Sequence, residues 1–194
     1  IGNETCLFAE GVFVSCENPD VVTAGWAGPK VHYVFYNNGE MKFSGSGNMY
    51  YFSHRAKVPW QAYKHDFKKV FYGKDVTSSG RFAFVQAYYI TDIIFEEGSK
   101  MEKIEYSSFD YTKEVRSIVL PESVKSVEWR AFGSWQKLQT IYLPTRIENI
   151  HKDAFLRANS YAVMQVEDGS YAHDFAVSNN YPVQVREKVP VIMY

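Results

Sequence analysis

The feature that most constrains the fold of this chain is an internal repeat with a period of 23 residues. The segment 117–121, Ser-Ile-Val-Leu-Pro, returns at 140–144 as Thr-Ile-Tyr-Leu-Pro, and an Ala-Phe pair that closes the unit returns at the same distance. Looser copies precede these two, and the closing aromatic residues are Phe84, Phe109, Phe132 and Phe155. Repetition at such a period is typical of solenoids, in which short units stack because none can bury its apolar edge alone.

Each unit predicts a short strand followed by an irregular return. The pattern apolar-x-x-apolar-x-apolar alternates with period 2, as a strand does, and Pro121 and Pro144 end two of the strands because proline lacks a backbone donor. Apolar residues then recur three apart, which favours 3₁₀ or irregular structure. We therefore predict a column of the four closing Phe side chains inside the stack. We also predict one parallel sheet, formed by strands near 68–72, 91–95, 116–120 and 139–143.

The segments that flank the repeats predict caps. Two strand-like runs, 31–36 and 40–44, are separated by Asn-Asn-Gly, which favours a β-hairpin. After the repeats, Ser170 can begin a short helix that ends near Asn179, and a strand is expected at 181–185. We divide the chain into an unassigned segment 1–30, an N-terminal β cap 31–66, four repeats 67–160 and a C-terminal cap 161–194.

Composition narrows the range of partners. The formal net charge is −1, so the chain offers no basic surface for nucleic acid. The sequence contains no run of 18 apolar residues, so it does not predict a transmembrane helix. The two cysteines, Cys6 and Cys16, are either free thiols or a disulfide that closes a short N-terminal loop. The second alternative requires an oxidising compartment.

Sequence motifs of catalysis are missing. The chain contains no His-Glu-x-x-His, Gly-x-Ser-x-Gly, P-loop or Gly-x-Gly-x-x-Gly motif, and no two histidines have helical metal-ligand spacing. A carboxylate pair such as Asp92 and Glu96 is compatible with glycosidase chemistry, but acidic residues are scattered at ordinary density. We therefore expect a protein that is not an enzyme and that uses no cofactor or metal.

The repeat unit resembles that of the BspA-type leucine-rich-repeat family of bacterial and protozoan surface proteins. The resemblance is carried by Ile-x-Leu-Pro-x-x-Val/Ile-x-x-Val/Ile-x-x-x-Ala-Phe at 118–132 and 141–155, by the segment 38–47, by Pro59-Trp60 and by Gly-Ser-Tyr-Ala at 169–172. It implies a leucine-rich-repeat solenoid, conventionally classed as α/β, with a β-hairpin cap and a helix-strand cap. It also implies a secreted or cell-surface protein whose repeats serve adhesion and protein binding, without catalytic residues.

The strand pattern also suggests a binding surface. The residue between the last two apolar positions of each unit should point away from the core. These outward residues are Phe71, Ile94, Val119 and Tyr142, flanked by Lys69, Asp92, Ser117 and Thr140. An exposed apolar row often marks an interface, and we expect an extracellular or host protein as the partner. The alternatives are a ladder that only stabilises the sheet, or a face that is covered.

A second functional hypothesis is carbohydrate binding. Aromatic side chains cluster near the first repeat at Tyr50, Tyr51, Trp60 and Tyr63, and aromatic rings can stack on sugars. The competing interpretation is that these aromatic residues pack the cap, since large rings mostly serve cores. A glycan thus remains the alternative partner.

Overall fold

The fold is described for residues 6–9, 12–16 and 18–186 in a computed structural model, and most of its regular elements are short β-strands. The strands are β1 Cys6–Ala9, β2 Val12–Cys16, β3 Val21–Trp26, β4 Val31–Tyr36, β5 Glu40–Gly45, β6 Lys69–Tyr72, β7 Asp92–Phe95, β8 Lys103–Ile104, β9 Ser117–Val119, β10 Ser126–Val127, β11 Thr140–Tyr142, β12 Asn149–Ile150, β13 Val163–Glu167 and β14 Val183–Arg186. The helices are two 3₁₀ turns, Arg55–Lys57 and Gln61–Tyr63, and α1 Tyr171–Ser178.

The repeats form successive turns of a solenoid, which we call coils. Strands β6, β7, β9 and β11 open coils 1 to 4, which comprise residues 69–91, 92–116, 117–139 and 140–162, and β13 continues the stack. Strand β6 pairs in parallel with β7, and β11 pairs in parallel with both β9 and β13. The returns add a second, three-stranded ladder in the order β12-β10-β8. The solenoid fold and the positions of the repeat strands are therefore confirmed.

The prediction of one continuous sheet is wrong between coils 2 and 3. The first sheet has the order β3-β4-β5-β6-β7, the second has the order β14-β13-β11-β9, and no ladder joins β7 to β9 in the described part of the chain. Coil 2 has two more residues than coil 3 between its two strands' starting points: β8 begins 11 residues after the first residue of β7, whereas β10 begins 9 residues after the first residue of β9.

Proline at the end of β9 does not by itself explain this break. Glu96 N donates to Tyr72 O at 2.9 Å and so extends the pairing of β7 with β6, whereas Pro121 stands at the equivalent position after β9 and has no N–H. Pro144 stands at the same position after β11 without interrupting the β9–β11 ladder, so the longer turn is the decisive difference. The second ladder crosses the break, which keeps the coils in one stack.

The predicted column of aromatic side chains forms the centre of the core. All four closing Phe side chains are at most 3% exposed. Phe84 stacks on Phe109 with ring centroids 5.7 Å apart, Phe109 on Phe132 at 6.2 Å and Phe132 on Phe155 at 5.3 Å. Interplanar angles of 2°, 5° and 26° show that the rings repeat in nearly the same orientation along the stack. Each ring therefore fills the space between consecutive coils.

The returns contain backbone conformations that only the stacking explains. Non-glycine residues with positive φ recur at equivalent positions of successive coils, and they are Phe82, Gln86, Ser107, Tyr111, Arg130, Ser134 and Arg157. The amides of six of them donate to carbonyls of the following coil; for example, Phe82 N donates to Tyr106 O at 3.1 Å and Tyr111 N to Gly133 O at 2.9 Å. The left-handed conformation is costly for a side chain with Cβ, and these hydrogen bonds between coils offset that cost.

Both caps continue the sheets of the coils. The β4–β5 hairpin is antiparallel and turns at Gly39, which has φ +90°. Its second strand, β5, pairs in parallel with β6. At the other end, Ser170 Oγ accepts a hydrogen bond from His173 N at 3.2 Å, and this bond begins α1. Strand β14 then pairs in parallel with β13. None of the described helices is long and apolar enough to cross a bilayer.

Candidate functional site

The predicted outward row lies on the open face of the two sheets. Val119 is 66% exposed and Phe71 is 38% exposed, whereas Ile94 and Tyr142 are half-buried. Phe71 is opposite Ile94 in the register of β6 and β7, and Val119 is opposite Tyr142 in that of β9 and β11. The sequence prediction therefore places these four side chains correctly on one face, which we call the sheet face.

The flanking residues lie on the same face, near the start of each strand. Lys69 is opposite Asp92, and Ser117 is opposite Thr140. The first three are exposed and Thr140 is half-buried. The flank therefore places one cation and one carboxylate beside the apolar row in coils 1 and 2, and two hydroxyl groups in coils 3 and 4.

The break between the sheets opens a groove in the middle of the sheet face. The groove has a volume of 590 Å³ and lies between β7 and β9, with Ile94 and Val119 among its lining residues. Its C-terminal mouth is polar, because Glu96, Glu97 and Glu122 line it. Sequence reasoning missed this groove. Its signal was the 25-residue step from the first residue of β7 to the first residue of β9, where the other repeat strands are 23 residues apart.

Backbone groups face the groove. Asp92 N and Glu96 N both donate to the preceding coil, at Lys68 O and Tyr72 O. Since alternate residues of a strand direct their N–H and C=O groups to opposite edges, the backbone groups of Ile93 and Phe95 are directed toward β9. No ladder meets them there among the described residues. Such an edge offers hydrogen bonds to water or to a ligand.

Tyr142 is less available than the outward row suggests. The Arg186 guanidinium lies 3.7 Å from the centroid of the Tyr142 ring, and the Tyr142 hydroxyl donates to Glu122. Arg186 is itself held by Leu143 O at 2.9 Å and by Glu122 at 3.7 Å. Burial, followed by the hydrogen bond to Glu122, raises the pKa of Tyr142. A cation thus covers part of this ring, and the uncovered apolar surface of the row is centred on Val119.

The aromatic cluster proposed for sugar binding does not form one exposed platform. Trp60 is fully buried, and its Nε1 donates to Ala83 O at 2.8 Å. Tyr63 packs against the core, with its ring centroid 5.4 Å from that of Phe35. Tyr50 and Tyr51 are exposed, and the Arg81 guanidinium lies 4.6 Å from the Tyr51 ring centroid. The cap therefore uses Trp60 and Tyr63 mainly for packing.

The returns carry an aromatic and arginine stack that sequence reasoning missed. Tyr106 and Trp129 occupy equivalent positions in coils 2 and 3, and their rings stack at 4.7 Å. Arg81 lies 4.5 Å from the Tyr106 centroid and Arg130 lies 5.2 Å from that of Trp129. Asp110 accepts two hydrogen bonds from Arg130, at 2.8 and 3.1 Å. Because these rings and cations mainly contact one another, the stack stabilises the returns. Its sequence signal was the spacing of 23 residues between two aromatic side chains.

The acidic residues, histidines and cysteines singled out in the sequence are placed as follows. No group of three or more His, Cys, Asp or Glu side chains there is placed to hold a metal ion. Asp92 accepts a hydrogen bond from Thr91, and Glu96 accepts one from the Lys74 amide, so each carboxylate has a local partner. In the β1–β2 hairpin, Cys6 is opposite Cys16 in the backbone register. Their side chains lie outside the described part of the structure, and the disulfide stays a prediction.

Comparison with known proteins agrees with the repeat. A family model described as BspA type Leucine rich repeat region matches residues 61–171 in six copies, which is more than half of the chain. None of the curated proteins matches.

Solved structures share the fold. A leucine-rich repeat protein from Eubacterium ventriosum ATCC 27560 superposes with a TM-score of 0.57 at 16% identity, covering 75% of this chain and 44% of that one. A leucine-rich repeat protein from Bacteroides ovatus ATCC 8483 superposes with a TM-score of 0.52 at 17% identity, covering 63% of this chain and 31% of that one. The pneumococcal vaccine antigen PcpA superposes with a TM-score of 0.54 at 16% identity, covering 80% of this chain and 46% of that one. The chain thus spans less than half the length of each of these structures.

Proposed function

Since the chain belongs to the BspA-type leucine-rich-repeat family, we propose that it is a secreted or cell-surface protein, without enzymatic activity, that binds a partner protein through its sheet face. In this proposal the partner is an extracellular or host protein, and the role is adhesion. The apolar row supplies the contact area, and the flanking side chains supply specificity.

The observation that carries the proposal is the exposure of Val119 beside the groove. Val119 is 66% exposed in the middle of an apolar row, where an ordinary solvated sheet carries polar side chains. The groove adds a concave surface of 590 Å³ next to it, with backbone groups at its edge. Apolar area combined with adjacent hydrogen-bonding groups is the composition of a binding hot spot.

The size of the row limits the kind of interface. Paired neighbouring strands lie about 4.8 Å apart, so four coils give a strip of roughly 15 Å, which the break between β7 and β9 lengthens. That length suits a compact hot spot of a few side chains and is too small for a large obligate interface. The partner therefore contacts the sheet face through a small protruding element.

A site-specific crosslink tests the binding surface. A photo-reactive benzoyl-phenylalanine replaces Val119 in one protein and Leu156 in a matched control, because Leu156 is also an exposed apolar residue, at 38%, but lies outside the repeat strands. After irradiation with an extracellular-matrix protein fraction, we expect a discrete adduct from position 119 and none from position 156. Equal labelling from both positions, or none from position 119, would contradict the proposal.

Localisation has its own test. Protease is added to intact cells that express the protein at its natural level, and the chain is followed by immunoblotting in the cells and the medium. Cleavage of the cell-associated chain, or its recovery from the medium, is the expected result. A chain that stays protected until the cells are lysed would contradict a surface or secreted location.

A further inference from the structure

A second groove lies at the N-terminal ends of β6 and β7, away from the break in the sheet. Its volume is 770 Å³, and its lining includes Asp66, Lys68 and Tyr89 from coil 1 and the segment that leads into it. The turn of the β4–β5 hairpin contributes Gly39, and coil 2 contributes Glu114. The volume lies within the range of about 300–1,000 Å³ that small-molecule sites occupy.

Aromatic rings form one wall of this groove. The His65 and Tyr88 rings stack with centroids 5.5 Å apart, and the Lys113 ammonium lies 5.0 Å from the Tyr88 centroid. Tyr88 is thereby engaged within the protein. Tyr89 meets His65 only edge-on, at 6.4 Å and 68°, and is 57% exposed. The Tyr89 ring is therefore available to a ligand and is supported from one side by the His65–Tyr88 stack.

Two lysines, Lys68 and Lys69, line the groove together with Tyr89. In the described part of the chain, neither Lys68 nor Lys69 lies within 4 Å of a carboxylate, and both are exposed. Glu114, the acidic residue that coil 2 contributes, is neutralised by Lys137 at 2.6 Å. The groove consequently offers the Lys68 ammonium to a ligand, whereas Lys69 lies between Glu40 and Asp92 in the strand register. The Asp66 carboxylate is an additional hydrogen-bond acceptor.

We propose that this groove binds an acidic saccharide, a glycan whose sugar ring carries a carboxylate. The apolar C–H face of the sugar packs on Tyr89, the sugar carboxylate pairs with Lys68, and its hydroxyl groups donate to Asp66. Stacking on the sugar uses the exposed Tyr89 ring, and the Lys68 ammonium donates a charge-assisted hydrogen bond to the sugar carboxylate. The groove shares Lys69 with the flank of the sheet face, but Val119 and the 590 Å³ groove take no part in sugar binding, so the two proposals can be tested separately.

The test is a titration of the full chain with defined oligosaccharides. A hyaluronan tetrasaccharide, which carries carboxylates, is compared with the neutral chitotetraose by isothermal titration calorimetry. The variants are Tyr89→Ala and Lys68→Ser. The matched controls are Tyr161→Ala, at a tyrosine that is 83% exposed three coils further along, and Lys152→Ser, at a lysine whose side chain is 83% exposed in coil 4. Melting temperatures establish that all four variants fold.

We expect the wild type to bind the acidic tetrasaccharide at least about tenfold more tightly than the neutral one, a difference of roughly 1.4 kcal/mol. Tyr89→Ala and Lys68→Ser should each weaken that binding about tenfold, while both controls bind like the wild type. Lys68→Ser should also reduce the dependence of Kd on salt, since it removes a charge pair. No binding of either sugar, equal binding of both, or wild-type affinity in Tyr89→Ala would each overturn the proposal.

Discussion

Truncation of Phe132 tests the stacked core. The ring is fully buried, and it contacts Phe109 at 6.2 Å, Phe155 at 5.3 Å and Trp135 at 4.8 Å between centroids. Removing a buried Phe side chain costs about 3–5 kcal/mol, and each aromatic pair contributes about 0.5–1.5 kcal/mol beyond burial. Since three such pairs are lost, Phe132→Ala should reduce the free energy of unfolding by an amount in the upper part of the first range, about 4–5 kcal/mol.

Phe71→Ala is the matched control, because the same side chain is removed from a position that is 38% exposed on the sheet face. Its cost should stay near or below about 1 kcal/mol, since most of the ring's burial is already missing. Urea unfolding followed by far-ultraviolet circular dichroism measures both values. Equal destabilisation of the two variants, or a loss below about 1.5 kcal/mol for Phe132→Ala, would refute the role of the column as the centre of the core.

Three further predictions concern the sheet break, a buried tyrosine and the cysteines. In hydrogen exchange, the Phe95 amide should exchange at least about tenfold faster than the amides of Leu120 and Leu143. Those two amides occupy the same position in coils 3 and 4 and donate to Tyr142 O and Gln165 O. Equal protection of all three amides would show that β7 and β9 pair in solution. Burial raises the pKa of Tyr72 well above its ordinary value of 10.0, so the folded state favours the neutral phenol and the free energy of unfolding should fall as the pH rises above about 10. Tyr72→Phe should reduce that dependence on pH, and an unchanged dependence would contradict a buried, neutral Tyr72. Thiol titration of the unreduced, denatured protein should find no free thiol, whereas two reactive thiols would exclude a bridge between Cys6 and Cys16.

The sequence was informative wherever a contact repeats along the chain. The spacing of Phe84, Phe109, Phe132 and Phe155 predicts the core column because each ring meets the equivalent ring of the next coil. The alternation within each unit likewise predicts which side of a strand faces outward, and Phe71 and Val119 follow it. Local turn chemistry was sufficient for the caps, as at Ser170, whose hydroxyl begins α1.

Features that depend on backbone contacts between coils, or on residues far along the chain, could not be predicted in this way. Phe82 and Tyr111 adopt positive φ because their amides reach carbonyls of the next coil, and nothing in their own chemistry favours that conformation. The cover over Tyr142 comes from Arg186, 44 residues further along the chain. The break between β7 and β9 depends on how a turn two residues longer is accommodated, so the 590 Å³ groove became visible only in the structure.

The proposed function is tested most directly by measuring how tightly two variants bind the partner protein that the crosslink at position 119 captures. Each variant introduces one negative charge. Val119→Asp places a carboxylate in the middle of the sheet face, and Leu156→Asp places one at an exposed apolar position elsewhere. Both substitutions lie at the surface, and neither should alter stability by more than about 0.5 kcal/mol. Val119→Asp is expected to weaken binding at least about tenfold while Leu156→Asp binds like the wild type. Wild-type affinity in Val119→Asp, or equal losses in both variants, would contradict a partner site on the sheet face.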